Sequence, residues 1–65
     1  MFVETVFLDG KWVNRYSDLS YTLSSHDRNE DAVREGKSYA MAKRLEHVIR
    51  DEEGNEISRW NLRNR

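Results

Sequence analysis

The chain has 65 residues with 11 basic and 12 acidic side chains, a net charge of −1 and no cysteine. Disulfide staples and thiolate zinc sites are therefore excluded. The near balance of charge argues against bulk electrostatic attraction to nucleic acid or to a membrane surface. One domain of this size buries only about 60% of the surface its unfolded chain exposes, so oligomerisation or docking on a partner is the remaining aid to stability.

Phe2 to Leu8 is rich in β-branched and aromatic residues and reads as a strand. Phe2, Val6 and Leu8 share one of its faces, Val3 and Phe7 the other, so the strand is expected to be covered on both sides. Asp9-Gly10 is a two-residue hairpin turn, in which glycine supplies the positive φ that a type I′ turn requires. Lys11 to Tyr16 alternates in the manner of a second strand, with Trp12, Asn14 and Tyr16 on one face. Ser17-Asp18 signals a turn, and Leu19 to Ser25 reads as a third strand with Tyr21 and Leu23 in phase.

A helix follows. Asp27 with Glu30 three residues later has the form of a capping box, with Asn29 a rival cap, and the helix is expected to run to about Glu46. Ala32, Gly36 and Ala40 fall at i, i+4 and i+8, a stripe of minimal bulk suited to close approach to a sheet. Gly36 costs about 1 kcal/mol relative to alanine inside a helix, which points to a packing reason for it. Val48-Ile49-Arg50 is a fourth strand, residues 51–55 form a polar turn holding Gly54, and Glu56 to Asn61 is a fifth strand. The order β-β-β-α-β-β predicts an α+β fold: a small antiparallel sheet with one helix packed on one face.

These landmarks resemble a family of short bacterial proteins known as domain of unknown function 2188. Gly10-Lys11-Trp12-Val13 resembles its opening Gly and Trp-x-Val, with one residue between Gly and Trp. Ser24-Ser25 with Asp27 resembles the passage from strand to helix, and Ala32, Gly36 and Ala40 stand where the helix alanines would. Glu46-His47-Val48-Ile49 and Glu53-Gly54-Asn55-Glu56-Ile57 resemble the closing hairpin. The likeness spans roughly residues 10 to 60. It implies the α+β fold, with Gly10, Trp12 and Gly54 as structural positions, and it implies no catalytic residue.

His26 and His47 flank the two ends of the expected helix, about 30 Å apart at 1.5 Å per residue, which rules against a shared metal or catalytic site. His47 is expected beside the helix end, where a cation is mildly favoured. Asp51-Glu52-Glu53 with Glu56 lacks the spacing of a calcium loop. No acid-base pair with a nucleophile can be assembled, so the chain reads as non-enzymatic, without metal or cofactor.

The last nine residues carry three arginines, one tryptophan and no acid. Arg59, Trp60, Arg63 and Arg65 are thus candidate partner contacts, for protein or, second, for nucleic acid. Tyr39 and Met41 are further candidates on the helix, where an exposed Met hints at a partner. The leading expectation is a protein-interaction module, self-associating or bound to a larger partner, with sheet edges open to β-addition. The alternative is a small nucleic-acid-binding protein. The lack of cysteine, of a signal-peptide start and of any apolar run near 20 residues suggests a soluble cytoplasmic chain.

Overall fold

The computed structural model describes residues 1–61. Chain order is β1 (Val3–Leu8), β2 (Lys11–Tyr16), β3 (Thr22–His26), α1 (Asn29–Lys43), β4 (His47–Arg50) and β5 (Glu56–Trp60). The five strands form one sheet in the order β3-β2-β1-β4-β5, and α1 contacts β1 through β4 on one face. The fold is thus a two-layer α+β domain with the expected element order.

The sheet is mixed rather than wholly antiparallel. β1 pairs β2, β2 pairs β3 and β4 pairs β5 antiparallel, but β1 and β4 run parallel, with Val3 opposite His47 and Thr5 opposite Ile49. The cause lies in the crossover. One helix leaves β3, runs back along the sheet and delivers β4 in the direction of β3, which is also the direction of β1.

Asp9 and Gly10 both have positive φ, 51° and 81°, and join Leu8 to Lys11 as the type I′ turn predicts. Gly54 at φ 92° serves the β4–β5 turn, where Asp51 N–H donates to the Asn55 carbonyl and Gly54 N–H to that of Asp51. Both edge strands are bulged. Leu23 is the extra residue on β3 opposite Asn14 and Arg15, and Ile57 is the extra residue on β5 opposite Ile49 and Arg50. Bulges at edges discourage pairing with a further strand.

The third strand begins three residues later than expected. Leu19 adopts the left-handed conformation at φ 65°, and Leu19 N–H closes a turn onto the Tyr16 carbonyl, so residues 17–20 belong to the turn. The helix is shorter than expected at both ends. Its N-cap is Arg28, which makes no side-chain cap bond; Asp27 instead pairs with Lys11 at the end of the β1–β2 hairpin. At the other end Arg44 sits at φ 58°, with its N–H on the Met41 carbonyl and the Leu45 N–H on that of Ala40. This is a Schellman termination, with arginine in the place glycine usually holds.

Ala32, Gly36 and Ala40 are the buried residues of α1, as the small-residue stripe predicts. Gly36 is seated above side chains rather than backbone. A β-carbon there would lie 2.5 Å from Asn14 Oδ1, 2.6 Å from His47 Nε2 and 2.9 Å from Thr5 Oγ1, so even alanine lacks room. Because Thr5 faces the helix, strand alternation puts Val3 and Phe7 on that same face, opposite Glu4 and Val6. Trp12, opposite Phe7, is buried, and the two rings lie 4.9 Å apart.

Candidate functional site

A row of polar side chains crosses the sheet beneath the helix. Thr5 and Asn14 are fully buried, and His47 is 1% exposed. Asn14 Nδ2 donates to the Ala32 carbonyl at 2.8 Å and to Ser24 Oγ at 3.0 Å, which turns Oδ1 toward β1. Thr5 donates its hydroxyl proton to that oxygen at 2.6 Å. The threonine oxygen then has lone pairs alone to offer His47 Nε2, 2.7 Å away, so the imidazole carries its proton on Nε2 and donates it. Ser24 Oγ extends the row to His26 Nε2 at 3.0 Å.

Burial is the larger reason that the His47 pKa falls from 6.5 to about 4, with Lys37 adding repulsion. His47 is therefore a neutral core residue and not a cation at the helix end. The helix stops at Lys43, and three residues separate it from β4, where strand pairing with Val3 turns the ring inward. His26 and His47 are three strand spacings apart, about 14 Å, and four residues apart along the strands, about 13 Å. That separation of about 20 Å is less than the length of the helix implied, since the crossover runs obliquely. Their link is the row of neutral side chains between them.

The opposite face of the sheet is closed by ion pairs. Glu4, 5% exposed, accepts from Arg15 Nε at 2.7 Å and from Arg50 Nε at 3.0 Å. Each arginine stands beside the bulge of an edge strand, and the carboxylate between them lies on the central strand β1.

Arg59 is similarly engaged. Its Nε and one terminal nitrogen grip Glu56 at 2.9 and 2.8 Å, the other reaches Glu46 at 2.5 Å, and its carbon centre lies 5.3 Å from the Phe2 ring centroid. Glu56 first, then Glu46, raises its pKa above the ordinary arginine value. Of the acids absent from the C-terminal segment, Glu56 stands just before it in β5 and Glu46 is supplied from the end of the helix-to-strand connection. Trp60 is half-buried with Lys37 Nζ 5.6 Å from its ring centroid. Tyr39 is half-buried and donates to the Leu23 carbonyl at 3.4 Å. Met41 is exposed but projects from the other flank of the helix, two residues or about 200° on, so the two do not form one patch. Arg63 and Arg65 lie outside the described residues.

One end of the sheet presents apolar side chains to solvent that no sequence pattern marks as a surface. Leu19 is 64% exposed and Tyr21 63%, on either side of Ser20 in the β2–β3 connection. Ser17 N–H donates to the Phe2 carbonyl at 2.8 Å, and Phe2 N–H to Ser17 Oγ at 2.9 Å. These bonds bring the exposed Met1 to the same end. Asp18 Oδ1 accepts the Ser20 N–H, and Tyr16 N–H donates to the Tyr21 carbonyl, so the turn is framed from within. Asp18 two residues before Ser20 was the available signal, since such an aspartate bends the chain back on itself.

No group of three or more His, Asp or Glu able to hold a metal ion occurs among the described residues, and no described helix is long and apolar enough to cross a membrane. Comparison with protein-family models, with curated proteins and with solved structures found no match.

Proposed function

We propose that the chain is a small non-enzymatic protein-binding module, self-associating or holding a larger partner, and that the β2–β3 turn is its contact surface. The carrying observation is Leu19, a bulky apolar residue held in the left-handed region and turned to solvent. Leucine is disfavoured in that conformation, and strained positions concentrate at binding sites. Tyr21 and Met1 at the same end supply the aromatic and flexible apolar chemistry of interface centres. Nucleic-acid binding has weaker support, since Arg15, Arg34, Arg50 and Arg59 are each paired with a carboxylate.

Light scattering across a dilution series, on the wild type and on a Leu19→Asn/Tyr21→Ser double variant, tests self-association. The expected result is a mass that falls on dilution and is monomeric throughout for the variant. If the wild type is also monomeric throughout, both proteins serve as immobilised baits, and the reading requires a retained protein that the variant loses. A monomeric wild type whose bait retains the same proteins as the variant ends the proposal.

A further inference from the structure

We propose that His47 is an acid-operated latch between helix and sheet: neutral, it completes the polar row on which α1 is seated, and when protonated it forces the two layers apart. The inference is independent of the binding surface at the β2–β3 turn.

The ring is 1% exposed and faces Gly36, the point of closest approach of the helix, with no space for a side chain between them. Its Nε2 donates to Thr5, Thr5 donates to Asn14, and Asn14 donates to the Ala32 carbonyl of the helix. The row thus runs from β4 through β1 and β2 into α1, and loosening the ring loosens the bond that ties the helix down.

Beyond the Nε2–H bond to Thr5, which the cation keeps, the groups around His47 offer its charge no counter-ion. From α1 the charged neighbour is Lys37, which repels it. β1 presents Val3 and Thr5, β2 presents Asn14 and Tyr16, and β5 presents Trp60 opposite it in register. Glu46, the adjacent acid, is taken by Arg59 and Asn61, and Glu4 lies on the other face between Arg15 and Arg50. A proton on the imidazole is therefore an uncompensated charge in the core.

The sign follows from linkage. The unfolded chain binds this proton at about the ordinary histidine value of 6.5, and the folded chain not until about 4. The neutral ring's contribution is fully present above 6.5 and is lost as pH falls between those values. The unfolded state gains by about 30-fold in equilibrium constant between roughly pH 7.5 and pH 5. Ordinary carboxylates titrate mostly below that window, so the mildly acidic response belongs to His47.

Two measurements test the latch on the full chain. Urea unfolding near pH 7.5 and near pH 5 should show the 30-fold loss for the wild type and a flat response for His47→Gln, whose amide can donate to Thr5 without titrating. A loss of equal size in both proteins overturns the proposal. Should the Gln variant fail to fold, NMR titration of the folded His26→Gln protein, in which His47 is the single histidine, decides it. A ring that stays neutral to below about pH 5 supports the latch, and one that titrates near 6.5 overturns it.

Discussion

Gly36 and His47 meet with no room for a side chain between them: a β-carbon on the glycine would stand 2.6 Å from the imidazole Nε2, inside the distance any two such atoms tolerate. Asn14 and Thr5 close the other sides, and both are tied by hydrogen bonds, so relief requires breaking the row. Gly36→Ala is therefore expected to lower stability by about 1–3 kcal/mol, against the gain of about 1 kcal/mol that alanine brings to an open helix position. Urea midpoints decide the sign. Since a domain of this size has on the order of 5 kcal/mol in total, the urea midpoint should fall by a large fraction of the wild-type value.

Arg44 makes the opposite case. It holds the left-handed position that ends the helix, and both its N–H and that of Leu45 are satisfied by helix carbonyls. The conformation is required, but a β-carbon in it is not. Arg44→Gly is expected to raise stability by about 0.5–1 kcal/mol, read as a higher thermal midpoint. Arg44→Ala, which keeps the β-carbon, should show no such gain.

Glu4 is shared by two arginines that reach it from opposite sides of the central strand. Glu4→Gln leaves the amide to meet two guanidinium groups with one oxygen, and one arginine loses its partner on a face that is mostly closed. Both arginines keep some exposure to water, so the loss is expected at about 2 kcal/mol, less than for a fully enclosed pair. The double variant Glu4→Gln/Arg50→Gln should recover part of it, which a thermodynamic cycle measures.

The parts of the fold that are local in the chain were legible in the sequence. Asp9-Gly10 declares its hairpin, and Ala32, Gly36 and Ala40 declare the face that meets the sheet. The parallel pairing of β1 and β4 follows from one helix between β3 and β4, a constraint on direction that no single segment carries. The polar row was hidden because its members are ordinary strand residues 9 and 42 positions apart that converge only when four strands are in register. Arg59 was a contact candidate because its segment holds no acid; Glu56 stands one residue before that segment, and Glu46 lies 13 residues before Arg59 in the chain. Leu19 looked like the start of a strand because its backbone departs from what leucine prefers, and preference was the basis of the reading.

Acid acts at a second place with a different window. Asp51 accepts the backbone N–H groups of Asn55 and Glu53, both at 2.9 Å, and these bonds hold its carboxyl below the ordinary 3.8. The lowered value means that Asp51 contributes stability above about pH 4 and loses it as pH falls through the folded value. Asp51→Asn should therefore melt below the wild type near pH 7, and the gap should close toward pH 3. Thermal scans at those two conditions separate this from the His47 response, which begins above pH 5 and is common to both proteins.

Leu19 joins stability to the proposed function, and the two should move in opposite directions. Its φ of 65° is a conformation that asparagine adopts more readily, because a short polar side chain can bond to the nearby backbone. The frame of the turn does not involve the leucine side chain: Asp18 holds Ser20, and the Tyr16 carbonyl holds the Leu19 N–H. Leu19→Asn is thus expected to raise stability by about 0.5–1 kcal/mol while removing one of the three exposed apolar side chains of the surface. Leu19→Ala keeps the strain and removes the bulk, so it should weaken association without the gain in melting temperature. If both variants associate as the wild type does, the strained conformation serves the turn alone and the contact surface lies elsewhere on the domain. If association falls in both while stability rises in one, selection has kept leucine at a position where it harms the fold, and contact with a partner is what it is kept for.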